Sequence, residues 1–119
     1  MAKYVDGFVV PVAKDKVEEY RVFSEMAGRI WKEHGALEYI ECLADDVKSG
    51  KLTSFPQAVD LQEGETVIFA WITYSSREHR DKVMEAVMKD ERLASIKPET
   101  MPFDGKRMIF GGFKTLIEM

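Results

Sequence analysis

Cysteine is almost missing from this chain, with Cys42 the only one among 119 residues. An intramolecular disulfide is therefore excluded, which fits a reducing compartment, and inside an apolar run the thiol reads as buried and inert. No apolar run approaches the ~20 residues of a membrane span. The opening Met-Ala-Lys-Tyr-Val-Asp-Gly lacks the apolar core of a secretory leader. These features place the protein in the cytoplasm. The formal net charge is −4 and no Lys/Arg-rich stripe appears, so neither nucleic acid nor a membrane is an expected partner. Histidine is scarce too, with only His34 and His79. There is no CxxC, no phosphate-cradling glycine loop, and no readable Ser/His/Asp or Cys/His signature. No cofactor is expected.

What is present is enough for one real core. Hydrophobic residues make up 45% of the chain and charged residues 32%, which is ordinary for one soluble globular domain over residues 1–119. Tyr4–Val12 reads as a strand with apolar groups on both parities, so neither face looks solvated, and Pro11 should end its regular pairing. Lys14–His34 reads as a helix with a stripe of Val17, Tyr20, Phe23, Ala27, Ile30, Trp31 and His34. Gly35 suits the left-handed residue that ends it. Ala36–Ala44 is a second strand. Asp45–Glu65 is a long polar connection, whose middle, 52–61, has Phe55, Val59 and Leu61 to pack with.

Thr66–Tyr74 is apolar at nearly every position and reads as a central strand. Ser75 and Glu78 stand at capping-box spacing, so a helix begins there. Glu91–Ile96 is a short helical segment before Pro98. A turn at Asp104-Gly105 launches a last strand, Arg107–Ile117. Gly111 and Gly112 sit inside that strand, where glycine marks a bend or the close approach of another group.

The order strand, helix, strand, strand, helix, strand is the ferredoxin-like split βαβ arrangement, an α+β fold. Right-handed crossovers put both helices on one face of a four-stranded antiparallel sheet. The smaller set, Gly7, Val9, Ile40, Cys42, Ile68, Ala70, Ile72, Ile109 and Gly111, is expected under the helices. The far face would then hold Tyr4, Phe8, Val10, Tyr39, Phe69, Trp71, Met108 and Phe110, with Asp6, Glu41, Thr73, Gly112 and Lys114 among them. So aromatic a surface calls for cover, and a homodimer with two sheets face to face would supply it.

Several runs carry a resemblance: Tyr4-Val5-Asp6-Gly7-Phe8, Pro11-Val12, Trp71, Ser75 through Asp81, Met101 through Met108, and Gly111-Gly112-Phe113. With these the chain resembles the YbaA-like family of uncharacterised bacterial proteins, within the dimeric α+β barrel superfamily. The resemblance implies a homodimer with an enclosed barrel and brings no reaction with it. Superfamily relatives include cofactor-independent monooxygenases, haem-handling proteins and lactone isomerases.

Two function classes follow. One is a small-molecule binder, or a cofactor-independent enzyme, whose barrel is lined by Asp6, Tyr39, Glu41, Trp71, Thr73, Phe110, Gly112 and Lys114. Its ligand would be small and mostly apolar. The other is a structural or interaction protein with a packed barrel, in which Asp6 or Glu41 forms a salt bridge with Lys114. A metal held by His34, His79 and Glu78 or Glu33 is the weaker alternative, since both histidines fall at one edge of the split βαβ arrangement.

Overall fold

A computed structural model describes residues 3–119. Met1 and Ala2, which open the stretch read above for a leader, lie outside the described residues. Strand β1 (Tyr4–Ala13) is followed by a short 3-10 turn, Lys14–Lys16, and helix α1 (Val17–Glu33). Strand β2 (Glu38–Leu43), the four-residue helix α2 (Phe55–Ala58) and strand β3 (Glu65–Tyr74) come next. Helix α3 (Arg77–Met88), a one-turn α4 (Glu91–Ala94) and strand β4 (Ile109–Lys114) complete the order. The sheet is antiparallel in the order β2-β3-β1-β4, which is the ferredoxin-like topology. Among the described residues, no helix is long and apolar enough to cross a membrane.

The helix ends follow from local chemistry. Gly35 takes a φ of 113° and lets the N–H groups of Gly35 and Ala36 turn back onto the carbonyls of Lys32 and Trp31. The cap of α3 is shifted by one residue from the expected Ser75–Glu78 pair. Ser76 accepts from the His79 backbone N–H at 3.0 Å, and His79 Nδ1 accepts from the Ser75 N–H at 3.0 Å. A histidine thus fills the place of the expected glutamate.

Two strand boundaries differ from expectation. The β1–β4 ladder stops at Val9, while the β1–β3 ladder continues through Pro11 to Ala13, so Pro11 interrupts only one side. β4 is shorter than Arg107–Ile117. Arg107 is drawn into the preceding turn by Asp104, and beyond Thr115, which is bonded to the Lys3 carbonyl, Leu116 and Ile117 are exposed.

The register corrects the assignment of faces. Tyr4, Asp6, Phe8 and Val10 stand opposite Tyr74, Ile72, Ala70 and Ile68, and the latter pack under the helices. Tyr39, Glu41, Met108, Phe110, Gly112 and Lys114 belong to that same side. Gly7, Val9, Ile40, Cys42, Ile109 and Gly111 lie instead on the far face with Phe69, Trp71 and Thr73. β3 faces as its pattern predicts, whereas β1, β2 and β4 are inverted relative to expectation. The reason is in α1, whose buried face includes Ser24, Ala27 and Gly28. A helix with small residues toward the sheet leaves room for large ones, so the rings come from the strands.

The far face is apolar and partly covered by the chain itself. Val59 is fully buried with Val9 and Val67, and Phe55 meets Phe69 edge-on at 5.7 Å. The long connection therefore packs, as its apolar middle predicted. The rest of the face, including Trp71, Ile109 and Phe113, has no such cover among the described residues.

Candidate functional site

Between the helices and the sheet lies a cavity of about 400 Å³. Rings from three elements and a loop form much of its wall: Phe8 of β1, Phe23 and Trp31 of α1, Tyr39 of β2, and Phe103 of the loop before β4. Met88, Leu93, Met101 and Met108 add apolar bulk. Phe103 packs against Tyr20 and Phe23, both at 5.8 Å between centroids, so the loop after α4 forms one side of the chamber.

Among the described residues Glu41 is the only charged side chain in this lining. Its Oε1 accepts from the Tyr20 hydroxyl, and its Oε2 accepts from the Tyr39 hydroxyl at 2.8 Å. Each carboxylate oxygen thus has a phenol donor. Burial first, and then the Glu41 charge, push both phenols well above their ordinary range, so they stay protonated as donors. Ser24, buried beside them, weakly opposes this. Tyr20, Ser24, Tyr39 and Glu41 also line an outer groove between α1 and β2, so these four residues are the partition between groove and chamber.

A second polar cluster occupies the other end of the helix face. Asp6 is buried and paired with Arg80 of α3 at 2.5 Å. Arg80 also lies over the Tyr4 ring, 4.9 Å from its centroid. Burial raises the Asp6 carboxyl above its ordinary range, and the guanidinium opposes this without overcoming it. Gly112 is what admits the arginine. A β-carbon there would lie 2.9 Å from Arg80 Nη1 and 2.8 Å from the Tyr4 ring. Nearby, Trp31 Nε1 and the Tyr74 hydroxyl are buried without a hydrogen-bond partner among the described residues.

The eight residues expected to line one pocket are thus divided. Tyr39 and Glu41 meet in the cavity. Asp6 and Gly112 belong to the Arg80 cluster. Phe110 stacks on Phe8 at 6.1 Å on the helix side and is largely exposed. Trp71 and Thr73 face the other way, where the Thr73 hydroxyl donates to Glu38 at 3.0 Å. Lys114 has no carboxylate within 4.0 Å among the described residues, so the expected Asp6 or Glu41 bridge to it does not form. The histidines are also separately engaged: His34 Nε2 lies 2.8 Å from Asp90, and His79 serves the α3 cap. No group of three or more potential metal ligands occurs among the described residues. Sequence reading missed Tyr20, Ser24 and Arg80 as site residues. Tyr20 and Ser24 are spaced four apart on the buried face of α1, and that spacing beside the apolar stripe is the available signal.

The family model described as a protein of unknown function, DUF1428, matches residues 3–105. The chain belongs to the DUF1428 family. It is 50% identical over 116 residues to "Uncharacterized protein YbaA" of Escherichia coli K12, covering 98% of each chain. A protein of the same name from Shigella flexneri is similar to the same degree. The YbaA-like resemblance read from the residues is therefore correct. The family match ends at Gly105, within the run from Met101 to Met108, whereas the similarity to YbaA covers nearly the whole chain. Among solved structures, a dimeric ferredoxin-like protein from an uncultured marine organism has a TM-score of 0.57 at 15% identity, covering 100% of this chain and 98% of its own. An uncharacterized NIPSNAP domain protein from Burkholderia xenovorans gives a TM-score of 0.53 at 14% identity, covering 97% and 94%. At such identities these likenesses establish the α+β ferredoxin-like fold.

Proposed function

We propose that this DUF1428 protein is a homodimeric small-molecule binder. The ligand site is the chamber between helices and sheet in each copy, rather than the space between two sheets. One observation carries the reading: an aromatic chamber of about 400 Å³ contains a single carboxylate, already oriented by two phenols. Small-molecule sites have this character, with apolar walls for burial and a few placed polar groups for orientation. The dimer is supported by the uncovered apolar patch of the far face, where Trp71, Ile109 and Phe113 lie together. The marine protein of like fold is itself described as dimeric. One unpaired thiol, Cys42, suits a reducing compartment, and on that basis we assign the protein to the cytoplasm.

A packed, ligand-free interaction module is the competing reading, and native mass spectrometry of freshly purified protein separates the two. The proposal expects a dimer mass with a retained small molecule, or uptake of an uncharged apolar dye such as Nile red. A dimer that retains nothing and takes up no dye would favour the packed module.

A further inference from the structure

Resting on that reading of the chamber, we infer that its ligand class is a lipophilic organic cation, an apolar body bearing a protonated amine that pairs with Glu41. Among the described residues the cavity lining contains no Lys, Arg or His, so Glu41 faces it as a lone negative charge. Buried or half-buried charges are normally paired, and here the paired state needs a cation from outside the chain.

The cationic side chains of the outer groove, Arg21, Arg29 and Lys32, are engaged elsewhere. Arg21 bonds Glu18 and Glu25 at 2.9 and 2.7 Å. Arg29 lies 3.8 Å from Glu25, and Lys32 donates to the Leu37 carbonyl at 2.6 Å. The two phenols satisfy one lone pair on each Glu41 oxygen and leave its charge uncompensated. An ammonium group supplies both further donors and the missing charge. The walls suit the same class, because Tyr20, Phe23, Trp31, Tyr39 and Phe103 line the cavity and aromatic rings attract a cation. A carboxylate or phosphate ligand would meet a like charge and no cation, so the chamber selects against anions.

The test is a charge series on one apolar skeleton, followed by calorimetry with the full chain: 4-phenylbutylamine, 4-phenylbutanol and 4-phenylbutanoate. The amine should bind at least about ten-fold more tightly than the alcohol, and the acid should bind weakest. Glu41→Gln should bring amine and alcohol within about two-fold of one another, while Glu41→Asp should keep the preference. Equal binding of amine and alcohol by the unaltered protein would overturn the cation class and leave the ligand chamber standing. A preference that survives Glu41→Gln would overturn the role of Glu41. If all three probes and Nile red fail to bind, the chamber reading itself fails. The unaltered protein's ranking decides the charge preference even if a variant does not fold.

Discussion

The Tyr39 ring occupies the space that a β-carbon would take on Gly28, where such an atom would fall 2.8 Å from the ring. The contact brings β2 against the backbone of α1 and holds the Tyr39 hydroxyl on Glu41. Gly28→Ala gains about 1 kcal/mol of helix propensity and loses about 1–3 kcal/mol to overpacking. A net loss of stability is expected, together with weaker binding of the amine probe. In a Tyr39→Ala background the clash is gone, so Gly28→Ala should stabilise by about 1 kcal/mol. Urea midpoints of the four proteins check this, and the same sign in both backgrounds would refute the contact.

Arg80 and Asp6 form the buried counterpart of that arrangement. Arg80→Met should cost about 3–5 kcal/mol, because it leaves a buried carboxyl without its partner. The double change Asp6→Leu with Arg80→Met should cost clearly less than the single one. Gly112→Ala should destabilise by about 1–3 kcal/mol, since Tyr4 and Arg80 are both held in place. Chemical denaturation measures all three, and a double change that costs as much as Arg80→Met or more would mean that Asp6 and Arg80 act independently.

Trp71 and Phe113 lie on the uncovered part of the far face. Trp71→Lys and Phe113→Lys should each shift the protein from dimer to monomer in sedimentation while keeping its circular dichroism. A folded dimer in both variants would place the interface elsewhere.

Arg107 sets an acid dependence. It hydrogen-bonds Glu65 and Asp104 and holds both carboxyls below their ordinary range. In acid the unfolded chain therefore binds more protons than the folded one. This contribution is complete above the ordinary carboxylate range and is lost as pH falls through the lowered values. Asp6 has the opposite sign, because its raised pKa stabilises at low pH and that contribution declines as pH rises above 3.8. Arg107→Met should be less stable than the parent at neutral pH, with the gap narrowing toward about pH 2. Thermal midpoints across that range test it, and a gap independent of pH would mean that Arg107 acts mainly through the Asp60 carbonyl, 2.9 Å away.

The element order was legible because hydrophobic period and turn residues are local signals. The α1 stripe, the Gly35 stop and the apolar run of β3 all lie where their patterns put them. Which way each strand faces was not legible. β1 and β4 are apolar on both parities, so the inward side depends on what the facing helix leaves open, a tertiary matter. Assigning small residues to the helix side failed because α1 itself supplies the small residues, Ser24, Ala27 and Gly28. The candidate site suffered accordingly. Tyr39 and Glu41 were found, since their alternation survives inversion of the whole strand. Arg80 was missed because its reach to Asp6 depends on Gly112 of a third element. Paired glycines inside a strand fit a bend as well as a close approach, and at Gly112 it is a close approach, by that arginine with its tyrosine.

Cys42 pairs in register with Phe69 on the far face and is exposed in the single chain, which corrects the buried, inert thiol expected from its apolar run. As the chain's one thiol, it is a ready-made labelling position on the side where two copies would meet. A maleimide fluorophore therefore attaches once per chain without any engineered cysteine. On the proposed dimer, its rate of attachment at increasing dilution would report subunit separation, read against Trp71→Lys as the variant expected to be monomeric.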